Sequence, residues 1–536
     1  MKRFSILCLA VLAILVSCRK ESDTVTLGAT IENLAGTAKL YIDANRTPQW
    51  ENSDPVWING NGDYSVTLNG TTAQITNVVR DENNQYLAVF PADMVASGQT
   101  AATGAVSLIL PREQQFQSSS QAKVPMIAYT TTGHTLDFKN LCSLLKLTVR
   151  NNTTSDITLS RITLTATNAL LSGPVTASIQ GGEAQLGTWG DEAEHDVSLC
   201  FPPSQTLAPN CSIDCYMVVP EFSASEVSII AYTTDGHFFP LLKNSVSLQH
   251  NSIATVSVNI AQLLTAHDLF TVDGSNTKVR FAPGNLQYSR QGTHTTADST
   301  ADGIWRFAKH QYDIVGSDNS NISNTNYTGW IDLFGWGTSG YSGKAPTTAS
   351  ISISDYYKKN NLTGLKYDWG LYNTIGNDAP GSWRTLSSAE WDWIFETRTG
   401  VAVGTANNVR FALAKVNGVN GVMLFPDNFI WPSAITDLPT VAITNNINWN
   451  NTDFSLAKWA VLESAGIIFL PAAGCRIGTT VSDINFSAQY WSSTLNNSNS
   501  GRSVRLWFEE NRAPVFTGST EVFNGFSVRL VQTVLP

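Results

Sequence analysis

The residue with the most definite chemistry is Cys18, the last member of the tetrapeptide Leu15-Val16-Ser17-Cys18. Small and aliphatic residues ahead of a cysteine suit a lipoprotein signal peptidase, and the thiol is then the acceptor of a diacylglycerol. Lys2 and Arg3 precede an apolar run from Ile6 to Val16, the charge-then-hydrophobe order of a secretory signal. That run is well short of the roughly 20 apolar residues a spanning helix needs, and no other segment of the sequence approaches that length. The spacing therefore predicts a signal over residues 1–17, cleavage before Cys18, and a lipid as the membrane attachment.

The other reactive side chains do not assemble into a catalytic set. With residues 1–17 removed and Cys18 acylated, Cys142, Cys200, Cys211, Cys215 and Cys475 remain, an odd number that cannot all pair. A bridge from Cys200 to Cys211 or to Cys215 fits an oxidising compartment, and small buried thiols in strand cores are the alternative. Cys211-x3-Cys215 is half of a zinc spacing with no second ligand pair nearby. His134, His195, His237, His250, His267, His294 and His310 are scattered without ligand spacing. No Gly-x-Ser-x-Gly elbow, His-Glu-x-x-His helix or phosphate loop occurs. Glu509 and Glu510, as neighbours in a strand, point to opposite faces and cannot converge on one glycosidic bond. The oxygen-rich run from Ser317 to Asn326 lacks the alternating ligands and closing Glu of a calcium loop and reads as a solvated loop. The sequence predicts no enzyme, no cofactor and no metal site.

A content of 42% hydrophobic and 14% charged residues in 536 suggests several folded domains and few long disordered stretches. Loss of Lys2 and Arg3 with the signal moves the formal charge from -10 to -12, which disfavours nucleic acid as a partner. Period-two runs such as Tyr64–Leu68, Leu144–Val149, Ile157–Thr165 and Ala254–Ile260 mark half-buried strands separated by Gly, Asn, Asp and Ser clusters. Residues 18–125 and 126–262 therefore read as two antiparallel β-sandwich domains. Of the 15 tryptophans only Trp50, Trp57 and Trp189 precede residue 263, so a different, aromatic-rich α+β domain is expected over 263–536. It should open with a strand at Lys278–Ala282. It should hold one helix from Ser387 or Ser388 to about Thr397, with Ser388 as its cap, and another from Leu456 to Ser464, stopped by Gly466.

Two family resemblances rest on these segments. Thr47-Pro-Gln-Trp-Glu-Asn-Ser-Asp54, Tyr86-Leu-Ala-Val-Phe-Pro-Ala92, Leu110-Pro-Arg-Glu-Gln114 and Leu136-Asp-Phe-Lys-Asn-Leu141 are similar, in order and spacing, to the two-domain fimbrillins, the type V pilins of Bacteroidetes and their lipoprotein relatives. Trp383-Arg-Thr-Leu-Ser-Ser-Ala-Glu-Trp391, Phe469-Leu-Pro-Ala-Ala-Gly474, Tyr490-Trp-Ser-Ser-Thr494 and Gly525-Phe-Ser-Val-Arg-Leu530 resemble a C-type-lectin-like domain of bacterial surface proteins, the Fibrobacter major paralogous type. Formylglycine-generating enzymes also use that scaffold with reactive cysteines, but only Cys475 lies in this domain.

The first resemblance implies maturation by a trypsin-like protease, with Arg46 and Lys39 as candidate cut sites, followed by donation of a strand from another pilin subunit into the vacated groove. The chain end, Phe526–Leu535, looks like the closing strand of the last domain rather than a free donor, which implies a tip or accessory subunit on the cell surface. Trp330, Trp336, Tyr341 and Trp431 lie in Gly- and Asn-rich segments and are the candidate contacts to a host or bacterial glycan or protein ligand. Trp391, Trp491 and Trp507 fall on regular elements and read as core. The alternative function is a non-polymerising outer-membrane lipoprotein that captures glycans.

Overall fold

A computed structural model describes residues 24–32, 50–69, 72–99, 104–116, 123–290, 303–439, 452–497, 502–509 and 515–534. Cys18, Lys39 and Arg46 lie outside the described residues. The chain is mainly β, as its alternating patterns require.

Alternation first builds a closed barrel. Its strands are β1 (Thr24–Ile31), β2 (Pro55–Ile58), β3 (Asn61–Asn69), β4 (Thr72–Val79) and β5 (Tyr86–Phe90), then, after β6 (Ala105–Leu110) and β7 (Glu113–Gln115), β8 (Met126–Thr130) and β9 (Thr135–Asn140). The order around the barrel is β1-β4-β3-β2-β5-β8-β9, and a parallel β9–β1 pairing closes it. Leu27, Val56, Ile75, Tyr86, Phe90 and Phe138 fill the interior, with Trp50 packed edge-on to Phe90 and Phe138. Closure removes open sheet edges, which a flat sandwich would leave.

The second unit stacks two sheets face to face. One sheet joins β16 (Ser212–Val219), β10 (Ser143–Asn151) and β19 (Ile253–Ile260). The other runs through β18 (His237–Leu248), β17 (Phe222–Thr233), β11 (Ile157–Ala166), β14 (Asp196–Cys200) and β7. Leu147, Leu159, Ile162, Leu199, Met217 and Ile229 fill the space between them. A third, small sheet pairs β6 with β12 (Gly173–Gln180) and β13 (Glu183–Trp189).

The boundary at 125/126 needs correction in both directions. β8 and β9, placed by sequence in the second domain, complete the first barrel, while β6 and β7 join sheets of the second unit. The reason is burial. Val106, Leu108 and Leu110 alternate inward against Val175 and Ala177, and Met126 and Ala128 turn into the barrel core. Gln114 extends the interlock by donating to and accepting from the backbone of Val218 at 2.7 and 2.9 Å. No disulfide forms among the described cysteines: Cys142 and Cys215 are buried, Cys200 and Cys475 half-buried and Cys211 exposed. Burial pushes the Cys215 thiol up to about 12, so it acts as a small apolar group.

The C-terminal unit contains α1 (Trp369–Tyr372), α2 (Ser388–Asp392) and α3 (Leu456–Ser464) among short strands. Lys278–Phe281 pairs with Leu530–Val534, which also pairs with Arg384–Thr385. The cap of α2 is Ser387 rather than Ser388. Its hydroxyl accepts from the Glu390 amide while Glu390 accepts from the Ser387 amide, and the helix continues as a wider turn over Trp393–Thr397. α3 has the predicted bounds. Gly466 follows it at φ +99°, where an added Cβ would lie 1.5 Å from the His267 carbonyl, so only glycine fits.

The four sequence motifs of this unit converge on its interior. Arg529 is wholly buried and donates to Asn285 Oδ1, the Ala282 carbonyl and the Phe469 carbonyl at 3.1, 3.0 and 2.6 Å. Tyr490 donates to the Pro471 carbonyl at 3.0 Å, and Ser493 N–H bonds the Leu386 carbonyl at 2.8 Å. Burial lowers the Arg529 guanidinium to about 10. These motifs hold the scaffold together.

Candidate functional site

β1 is held on both sides. It pairs antiparallel with β4, Leu27 opposite Ile75 and Ala29 opposite Ala73, and parallel with β9, Ala29 beside Leu136 and Ile31 beside Phe138. Leu27 and Ala29 point into the barrel core, with Val25 and Ile31 partly buried against it. A fully buried leucine contributes about 2 kcal/mol. The strand's far end is fastened by Glu32, whose amide donates to the Phe138 carbonyl at 2.9 Å and whose carboxylate accepts from the Asn140 amide at 3.1 Å. The chain between Glu32 and Trp50 carries both candidate cut sites. A break there would leave β1 attached by its two ladders, its inward side chains and the contacts of Thr30 and Glu32, and its departure would expose one edge each of β4 and β9.

The aromatic candidates separate into two regions. Trp336 is fully buried and its indole donates to the Ser492 carbonyl at 2.8 Å, so it braces the core and is withdrawn as a ligand contact. It stacks on Tyr357 at 6.1 Å, Tyr357 stacks on Tyr367 at 3.8 Å, and Tyr341 meets Tyr367 and Tyr372 edge-on at 5.1 and 5.3 Å. This stack runs from the core to a half-buried fan of Tyr341, Tyr367 and Tyr372, with the Lys366 ammonium 5.7 Å from the Tyr341 ring centre. Trp330 is half-buried with the Arg306 guanidinium 3.6 Å over its ring. Trp431 belongs to another core, with Phe425, Phe429 and Phe454, and its indole donates to the Ile435 carbonyl at 2.9 Å. Trp391 and Trp491 are buried as expected. The side chain of Trp507 lies outside the described residues.

Sequence reading missed Tyr367, Tyr372 and Lys366. The available signal was Tyr367 and Tyr372 flanking the four residues from Asp368 to Leu371, in a segment whose cap is a buried Asp368. Asp368 accepts from the amides of Gly370 and Thr385 at 3.0 and 2.9 Å, and burial still raises it to about 6. The Ser317–Asn326 run also differs from a solvated loop. It forms a 3-10 turn over Gly316–Ser323 in which buried Asn319 donates to Asp332 at 2.7 Å. Among the described residues no group of three or more His, Cys, Asp or Glu is placed to hold a metal ion.

The C-terminal unit is clasped to the second unit. Trp459, Val461 and Leu462 of α3 share one apolar cluster with Ile230 of β17 and Phe238 of β18. Glu194 accepts from His310 Nε2 at 2.9 Å and from Lys309 at 3.2 Å, and Arg112 bridges to Asp196 at 2.9 Å. Burial alone would raise Glu194, but the hydrogen bond and charge of His310, with Arg112 and Lys309, hold it down at about 2. Burial would likewise lower His310, yet Asp313 and Glu194 raise it to about 10, so the imidazole is charged at neutral pH.

No protein-family model matches the chain, and no curated protein is significantly similar to it. Among solved structures it is similar to a candidate cell adhesion protein of Bacteroides ovatus, at 10% identity over 45% of this chain and 95% of that one, with a TM-score of 0.29. A candidate cell adhesion protein of Bacteroides fragilis matches at 12% identity over 43% and 92%, with a TM-score of 0.21. A fimbrial assembly protein of Parabacteroides distasonis matches at 9% identity over 48% and 94%, with a TM-score of 0.23.

Proposed function

We propose that the protein is a surface adhesin subunit of a fimbrium, anchored through Cys18 as a precursor, whose first barrel exchanges β1 for a strand of another pilin. The observation that supports this reading most is the placement of β1. It completes the barrel between β4 and β9, buries Leu27 and Ala29, and is followed at once by the segment with Lys39 and Arg46. A replacement strand needs apolar side chains at every second position and a small one beside Thr135, where Gly28 now lies 3.4 Å from Oγ1 at its notional Cβ. The strand Leu530–Val534 is engaged on both edges inside the C-terminal unit, so this strand is not available for donation to another subunit. The tyrosine fan at Tyr341 is the proposed ligand contact there, with Trp330 beside Arg306 as a second half-buried aromatic surface.

The test is limited digestion of the folded chain with a trypsin-like protease, then incubation with excess labelled peptide matching Thr24–Ile31. Cleavage after Lys39 or Arg46 with exchange of the labelled peptide into the barrel supports strand replacement. A cleaved barrel that never exchanges its strand contradicts it and leaves the glycan-capture lipoprotein as the better reading, since the tyrosine fan serves ligand capture equally well without polymerisation.

A further inference from the structure

A cleft of about 610 Å³ lies between the outer face of the second unit's larger sheet and α3. That volume is in the range of small-molecule sites, about 300–1,000 Å³. The ladder fixes what the sheet offers. Tyr232, Arg161 and Cys200 are directly opposite one another across β17, β11 and β14, and Thr163 and Ser198 form the next row two residues along. Directly paired residues share a face, so the cleft floor presents a guanidinium, a phenol and a line of hydroxyls. The Thr163 and Ser198 hydroxyls bond each other at 2.7 Å, leaving further lone pairs. The roof is α3, with Trp459, Glu463 and Ser464.

The charges divide unevenly. Of the carboxylates on one wall Asp196 is engaged by Arg112, and Glu113 also lines the cleft. Arg161 is different: it is exposed into the cleft, lies 4.1 Å over the Tyr232 ring, and makes no ion pair with a carboxylate among the described residues. Tyr232 in turn bonds the Ser464 hydroxyl at 2.6 Å, which fixes the ring beneath the guanidinium. On the roof Glu463 has one oxygen on Gln311 at 3.0 Å, and the buried Trp459 indole N–H has no partner.

We propose that this inter-unit cleft binds a short acidic sugar, with the fork of Arg161 taking the carboxylate and the Thr163–Ser198 hydroxyls and Glu463 reading the ring hydroxyls. A planar guanidinium preorganised on an aromatic ring matches a carboxylate bidentately, and a hydroxyl-lined floor suits a polyol better than an apolar ligand. The site is separate from both the β1 slot and the tyrosine fan, so it stands or falls independently of strand exchange.

The experiment is titration calorimetry of the folded chain with a glucuronic-acid-terminated disaccharide and with its neutral glucose-terminated counterpart. Single-site binding of the acidic probe is expected, with the neutral one weaker by about tenfold or more, as loss of a charged hydrogen bond implies. Arg161→Gln should weaken the acidic probe by a similar factor while leaving the unfolding midpoint unchanged, and Arg161→Lys should recover part of the loss. Absence of saturable binding, equal affinity for the two probes, or binding that survives Arg161→Gln but is lost in Tyr341→Ala would each overturn the assignment.

Discussion

Leu27 and Trp336 show how far single residues carry the account. Leu27 is wholly enclosed by the barrel, and Leu27→Ala should cost the first unit about 3 kcal/mol, a typical price for a buried leucine, measured by denaturant unfolding. Val25 and Ile31, only partly buried, should cost less when truncated. Trp336→Ala should destabilise the C-terminal unit by about 3–5 kcal/mol, because it empties a packed core and strands the Ser492 carbonyl. Tyr341→Ala should leave unfolding nearly unchanged and reduce adherence of the protein to its target cells, measured in a surface-binding assay. Sequence alone placed all four aromatic candidates in loops, and three of them are at least partly accessible. It could not separate Trp336 from Tyr341, because both lie near turns rich in glycine, and only the three-dimensional stack reveals which end of the ladder meets solvent.

Elements were more legible where a local signal fixed them. α3 matches its sequence bounds because Ser455, the apolar face from Leu456 to Leu462 and Gly466 all speak locally. β6 to β9 were not among the alternating runs read from the sequence, and where such runs are seen they say which side is buried and nothing about which sheet supplies the other side. The clasp between the second unit and the loop at His310 was invisible for the same reason: Glu194 and His310 are far apart in sequence and only the fold joins them. Its pH dependence has a definite sign. His310 is raised from 6.5 to about 10, so its contribution is complete below about pH 6.5 and disappears as pH rises through about 10. Glu194 is lowered from 4.5 to about 2, so its contribution is present above about pH 4.5 and is lost as pH falls through about 2. The two shifts describe one pair and do not add. The stability difference between the parent chain and His310→Gln, measured by chemical denaturation, should be largest near pH 6 and vanish above pH 10. A difference that grows with pH would contradict the charged clasp.

At the scale of the whole molecule, the strand pattern leads to an expected border at 125/126 that the sheets do not follow. Strands of the first two units cross the expected border in both directions, so the two units share the apolar cluster around Trp57, Leu108, Leu144 and Val175 and should unfold together. α3 extends this continuity to the last unit through Ile230 and Phe238. The most direct test is N-terminal sequencing of the protein from purified surface filaments and from the membrane fraction of the same cells. The account predicts a filament form that begins after Lys39 or Arg46 and so lacks β1, beside a membrane form acylated at Cys18. A protein that remains acylated at Cys18 and is absent from filaments would contradict it.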